Sequence, residues 1–498
     1  MKLAESYDFI CTGGGIASYL CAALLSKSGQ KVLLIDDQDS AFYSKNNHPL
    51  FTADLTAFSG LKPGQLFSQI LNELKIDIKN FKTEDVFLQV LTPAYNIAFN
   101  KSMNDVALEF KRKLPPERLQ PEHLWCFFEK IYKAGNEIPS FVNDVPKLIH
   151  ASFSDIKTWK NFWGKQLKAM RSSTPVAYSE LLPPVVAPEC ERLCKIILSA
   201  LTYICPHNIN VEQALRGLSL IFQGQSFSHD GFQKLREELI EIIKVHGDVK
   251  LETRVESLVV EGKKITGVLL SSYEGIIQSN FIILGGSLKR LYYTLPQNIL
   301  DQTVLRSLNR LVPTHWRFTF LVKVFKKILP DGVTPYMTYV HSYEDPLEEE
   351  NFLQIQILDS YLRITALVPY KASTLEYDYL QKLAGRMMHL LCKVFPYLDE
   401  NILEIHPDFR KGTEEIKKYY PFQGLNWLPE RLIHYYVRGR KNIQDFWGVP
   451  FFTPHKNLYF VGHVLWPSLG VYGEALSALR VFEEVMYGWT LTQKEKIL

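Results

Sequence analysis

Apolar residues change their period several times along this chain, and each change predicts an element. Residues 8–12 form a short, mostly apolar run that ends in Gly13, Gly14 and Gly15. Leu20, Ala23, Leu24 and Lys27 then follow at helical spacing over 16–28, Gly29 stops that helix, and 31–35 is a second apolar strand. After Asp36 periodicity is lost in an exposed loop. A short helix is predicted over 66–74, and a strand pair over 86–90 and 95–99 around Thr92-Pro93. The stretch 104–222 is coarsely helical and punctuated by prolines. An amphipathic helix over 232–245 precedes strands at 249–251, 257–261, 264–271 and 281–284. Four further strands fall between Arg317 and Val368, divided by an acidic loop at 344–350 that reads as a solvated face. A helix over 375–395, strands at 402–405 and 457–461, and a helix over 474–487 complete the series. No internal repeat or low-complexity segment interrupts it.

Composition changes this picture little. At 498 residues, with 46% hydrophobic and 22% charged positions, the chain is globular and long enough for two or three domains or one interleaved unit. A net charge of +3 gives no support to nucleic-acid binding. The seven cysteines are scattered. Cys190 and Cys194 share a helical apolar face with Leu193, Ile197 and Leu201, which makes them buried thiols rather than a metal site or disulfide. That usage suits a reducing, cytoplasmic compartment. The first residues lead straight into a strand with no secretory signal, and no apolar run is long enough to span a membrane. Trp159, Phe162 and Trp163 lie on one helical face among Lys157, Lys160, Lys165 and Lys168. Ordinary helix packing explains that face; peripheral contact with the inner membrane surface is the alternative.

The chemistry is concentrated in the first strand–turn–helix–strand. Gly13 permits the tight turn, Gly15 lets backbone approach a pyrophosphate at the helix N-terminus, and Asp36, 23 residues after Gly13, can accept hydrogen bonds from an adenosine ribose. Ser18 stands where the GxGxxG pattern has its third glycine, a position that serves close helix–strand packing. No nucleophile–base pair and no metal-ligand spacing is evident, and no catalytic residue is assigned.

The YDFICTGGGIASYL start, the GFQKL, VESLVVEGKKITGVLL and FIILGG segments, and the NLYFVGH and GVYGEALSA end read as three separated parts of one cofactor domain. In that order they resemble the FAD-dependent oxidoreductases of the phytoene-desaturase, amine-oxidase and Rab-GDP-dissociation-inhibitor superfamily. The resemblance covers about a third of the chain in these motifs. It implies an α/β fold: an FAD-binding Rossmann-like (GR2-type) domain assembled from three segments, with an interleaved α+β substrate domain and a helical insert. The implied boundaries are 1–60, 223–290 and 451–498 for the cofactor domain, 61–222 for a mainly helical cap and 291–450 for a sheet-containing substrate domain.

The same resemblance assigns roles. Gly13 and Gly15 would face the FAD pyrophosphate, with Gly14 and Ser18 completing the cofactor-binding turn, Asp36 the ribose and Val255 the adenine. Gly462 and His463 would meet the ribityl chain. Gly470 and Gly473 would let backbone approach the flavin ring, with Glu474 opening a helix whose N-terminal dipole points at it. The chain departs from the family at Ser18, at Ala41-Phe42 in place of a glycine pair, at His463 in place of an aspartate, and at Ser228-His229-Asp230. The implied activity is hydride transfer between flavin and a hydrophobic, isoprenoid- or lipid-like substrate, because a flavin carries that chemistry itself. The alternative is a flavin-free binding protein of the GDP-dissociation-inhibitor kind, holding a lipidated or protein partner.

Overall fold

The computed structural model describes residues 6–36, 57–114, 128–131, 188–204, 211–285, 311–325, 333–420, 433–437 and 457–497. Residues 81, 84, 85, 101, 102, 224, 228–231 and 263 are excepted within those runs, and the isolated positions 309, 424, 453 and 455 are added. Phe42, His229 and the Trp159, Phe162, Trp163 face lie outside the described residues, as does the side chain of Cys190.

In chain order the elements begin with β1 (Ser6–Thr12), α1 (Ile16–Lys27), β2 (Val32–Ile35), β3 (Ala57–Ser59), α2 (Leu66–Leu74), β4 (Lys82–Thr83), β5 (Val86–Leu91) and β6 (Asn96–Asn100). Next come α3 (Met103–Lys113), α4 (Pro188–Leu201), α5 (Val211–Gln223), β7 (Gln225–Phe227), α6 (Gln233–Ile243), β8 (Gly247–Lys250), β9 (Val255–Glu261), β10 (Lys264–Leu270) and β11 (Tyr273–Leu284). The last third holds β12 (Leu311–Val324), β13 (Tyr336–Val340), β14 (Phe352–Leu358), β15 (Tyr361–Pro369), α7 (Tyr377–Val394) and β16 (Ile402–His406). It ends with α8 (Thr413–Tyr419), β17 (Ile433–Val437), β18 (Leu458–Phe460) and α9 (Gly470–Ile497).

Two sheets organise these elements. The first has the order β8-β2-β1-β11-β10-β9, with β18 also pairing β11. Its strands therefore come from three separated stretches of sequence, as the motifs imply. The strands β8, β2, β1, β11 and β18 run parallel, while β10 and β9 add an antiparallel flap. Both faces of the parallel part are covered, so β2 (VLLI) is apolar at every position and buried throughout. Helix α1 is buried on almost all sides for the same reason. It lies between the sheet, α6 and α9, and the Ser26 hydroxyl donates to the carbonyls of Ile242 and Ile243 on α6.

The second sheet has the order β16-β12-β15-β14-β13-β5-β6, with β17 also on β12. It is antiparallel except where β13 meets β5. Helix α4 docks its C-terminal end on this sheet: the Tyr336 hydroxyl and the Gln354 amide both donate to the Ala200 carbonyl, at 3.2 and 3.3 Å.

Three elements run longer than periodicity predicts. Strand β11 starts at Tyr273, because its polar first half pairs antiparallel with β10 where one face meets solvent. Strand β12 starts at Leu311, and its first half is held by β17 rather than by its own pattern. Helix α9 starts at Gly470, not Glu474, and continues to Ile497. Among the described residues no helix is long and apolar enough to cross a membrane.

Candidate dinucleotide site

Strands β1, β11 and β18 end level with one another: Thr12 is opposite Leu284, and Leu284 opposite Phe460. The three glycine turns that follow, at Gly13, Gly285 and Gly462, therefore emerge side by side at the carboxyl edge of the parallel strands. This is where open α/β sheets hold their ligands. Gly13 has φ of +99°, a conformation that favours glycine, and its N–H donates to the Ile35 carbonyl at 2.9 Å. Gly14 continues the turn and Gly15 is the N-cap of α1 with no side-chain cap. The first turn of α1 also carries no acidic residue. Its N–H groups and partial positive charge are thus left for a group from elsewhere.

Ser18 fits in place of the third glycine because the close approach has moved to its neighbour. The Ser18 hydroxyl donates to the Thr12 carbonyl at 2.9 Å, and it stands only 1.9 Å from where a Cβ on Gly285 would be. Any side chain at 285 would evict it, so Gly285 supplies the space that Ser18 takes.

Asp36 ends β2 as expected, but it is already engaged. The Tyr19 hydroxyl and the Arg236 guanidinium both donate to its Oδ2, at 2.7 and 2.6 Å, and the pair is buried. The Asp36 carbonyl accepts from Thr253, two residues before Val255, which places the start of β9 beside this end of β2. Arg236 on α6 and Tyr19 on α1 were not foreseen. The sequence signal for Arg236 is weak: it sits in the amphipathic helix next to Leu235, on the packing side rather than among the exposed glutamates.

The start of α9 departs further from expectation. Glu474 does not open the helix; it lies just past the first turn and turns its carboxylate back onto α1. Its Oε2 accepts from Ala17 N–H at 3.3 Å and stands 3.4 Å from where a Gly15 Cβ would be. Its Oε1 accepts from the Tyr203 hydroxyl at 2.9 Å. Gly470 and Gly473 also serve the protein's own packing. A Cβ on Gly470 would meet the Leu201 carbonyl at 2.4 Å, and one on Gly473 the Trp466 carbonyl at 2.5 Å. Since Gly470 also has φ of +55°, Gly470→Ala should lower stability by at least about 2 kcal/mol in denaturant melts. Tyr472 is buried against Gly60 and packs rather than lining a ligand.

Beyond Glu474 lies a buried cluster joining the two sheets. The Tyr203 ring lies 4.3 Å from the His463 ring, centroid to centroid. Arg317, on β12 and 1% exposed, sits over the other side of the cluster, 5.6 Å from the Tyr203 ring centroid. Its Nε–H donates to Nε2 of His434 at 2.9 Å. Burial, reinforced by the Arg317 charge, pushes His463 down to about 3 and holds His434 well below the usual histidine range. Both are neutral imidazoles at physiological pH. Nε2 of His463 is buried with no hydrogen-bond partner, and a Cβ on the adjacent Gly462 would meet nothing within 4 Å.

Tested against FAD, these residues fit in four respects. The glycine turn and the α1 N-terminus suit a pyrophosphate, Asp36 is at the ribose end, the orphaned His463 nitrogen can bond a hydroxyl, and Gly462 leaves room beside it. Among the described residues, the Glu474 carboxylate stands at that N-terminus, where a phosphate would bind.

No protein-family model matches the sequence, and no curated protein sequence matches it. Solved structures do. The chain superimposes on an oxidoreductase from Methanosarcina mazei with a TM-score of 0.56 at 14% identity, covering 96% of this chain and 100% of that one. Cyclohexylamine oxidase from Brevibacterium oxydans gives 0.53 at 13% identity, covering 96% and 99%. A redesigned putrescine oxidase gives 0.50 at 13%, covering 98% and 99%. At such identities the likeness speaks for fold alone. The chain has the mixed α/β fold that these three oxidoreductases share.

Proposed function

We propose that the chain is an FAD-dependent oxidoreductase acting on a hydrophobic, isoprenoid- or lipid-like substrate. The observation that carries this reading is the convergence of the α1 N-terminus, Asp36 and the orphaned Nε2 of His463 at one edge of the parallel sheet. When bound there, FAD would supply hydride acceptance and donation. The chain's own residues bind and orient. The N–H groups of α1 after Gly13, Gly14 and Gly15 hold phosphate oxygens. Asp36, beside Arg236, accepts from a ribose hydroxyl, and His463 bonds the ribityl side as a neutral imidazole. Arg317 of the second sheet reaches the Tyr203–His463 pair beside this edge, and the resemblance favours a hydrophobic small molecule over a nucleic acid. Work at a peripheral membrane surface in the cytoplasm suits such a substrate.

A second reading has its own observations. Glu474 on Ala17 and Arg236 on Asp36 fill two cofactor positions with the protein's own groups, as a flavin-free binding protein for a lipidated or protein partner would. The absorption spectrum of the purified protein, with release and chromatographic identification of the cofactor after denaturation, separates the two. The flavin reading predicts FAD, non-covalently held or taken up on reconstitution. A colourless protein that takes up no FAD would leave only the binding-protein reading.

A further inference from the structure

The proposed cofactor site contains a charge that belongs to the chain itself. Glu474 is only 4% exposed, and its carboxylate reaches the N-terminus of a helix 457 positions earlier in the sequence. No N-cap side chain and no acidic residue in α1's own first turn meets those N–H groups, so Glu474 satisfies a donor at Ala17 that they leave open. We propose that Glu474 is a latch: in the free protein its carboxylate occupies the pyrophosphate position, and dinucleotide binding requires its displacement. This rests on the reading that the turn at Gly13, Gly14 and Gly15 takes a dinucleotide.

Two features support displacement rather than permanent closure. First, the carboxylate is held at both ends unequally: the bond to Ala17 is 3.3 Å long, while that from the Tyr203 hydroxyl is 2.9 Å. Releasing Ala17 leaves the shorter bond available to keep the carboxylate partnered. Second, Tyr203 stacks on His463, whose buried Nε2 has no hydrogen-bond partner. A buried polar atom without a partner costs free energy, and a ligand hydroxyl would relieve it. The latch and the orphan are thus neighbours through one tyrosine ring. Because a carboxylate and a phosphate cannot share one helix N-terminus in a desolvated site, the latch must also weaken cofactor affinity.

The test compares the full chain with Glu474→Ala and Glu474→Gln, the second retaining the side chain's size without its charge. FAD affinity is read by quenching of flavin fluorescence, and melting temperature is read with and without inorganic pyrophosphate. Both variants are expected to bind FAD roughly tenfold or more tightly than the parent. Pyrophosphate should raise the melting temperature of the variants and leave the parent unmoved. If all three proteins bind FAD equally, the latch is overturned and the FAD reading stands. If none binds FAD but pyrophosphate stabilises the variants alone, the latch stands and the FAD reading falls. If neither ligand acts on any of the three, both are overturned.

Discussion

Lowering the pH from 7.5 to 5 is expected to cost this fold roughly 2 kcal/mol through buried His463 alone, with His434 adding a loss in the same direction. His463 is held down to about 3 by burial and then by the Arg317 charge, and His434 is depressed in the same direction by the same two causes. An unfolded chain begins to protonate its histidines near 6.5. Between there and the folded value the unfolded state binds more protons, so stability is full above about pH 6.5 and falls as pH falls. His463 contributes about 1.4 kcal/mol per pH unit over that window and adds no further loss below about 3. Urea midpoints at pH 7.5, 6 and 5 measure the slope. In His463→Phe, which keeps an aromatic ring against Tyr203, that part of the slope should disappear. An unchanged slope in that variant would sink the assignment.

The second large effect concerns the ion pair at the end of β2. Arg236, Tyr19 and Asp36 close a triangle of short hydrogen bonds: guanidinium to hydroxyl at 2.7 Å, hydroxyl to carboxylate at 2.7 Å, guanidinium to carboxylate at 2.6 Å. The Asp36 side chain is 1% exposed and that of Arg236 11%. Removing the cation strands a buried carboxylate, so Arg236→Met should lower stability by about 3–5 kcal/mol. The double variant Arg236→Met with Asp36→Leu removes both charges and should recover most of the loss, since an apolar pair of similar volume often substitutes for a buried ion pair. Guanidinium melts of the two singles and the double form the cycle. Equal losses in the single Arg236 variant and the double would show that packing, not charge, is at stake. The same geometry warns against Asp36→Ala as a cofactor probe. Asp36 joins α1, β2 and α6, so loss of FAD from that variant would report folding as much as recognition.

Much of this was legible because the responsible interactions are local. The period of 16–28, the glycine run before it and the acid after it sit within one βαβ unit, and the structure reproduces their order. The strands of the second sheet were also evident, since β13, β14 and β15 are bounded by loops and carry their own apolar pattern. Strand β17 was not, because its identity depends on pairing with the first half of β12, more than a hundred positions earlier in the sequence. The polar start of β11 escaped notice for a related reason: its pattern is that of an exposed flap, and only β10 makes it a strand.

Sequence by itself determined the three distant glycine motifs, because each carries a short-range signature: a tight turn, a strand end or a helix start; that they meet in one domain is what the resemblance implied. Tertiary structure alone decided what those motifs touch. Whether Ser18 could replace glycine depended on Gly285, a residue on another strand. Whether Asp36 was free depended on Arg236, and whether the helix N-terminus was open depended on Glu474, on a helix at the far end of the chain. Each of these is a contact between residues two hundred or more positions apart. Periodicity records which face of an element is buried, but not which charge arrives there from elsewhere.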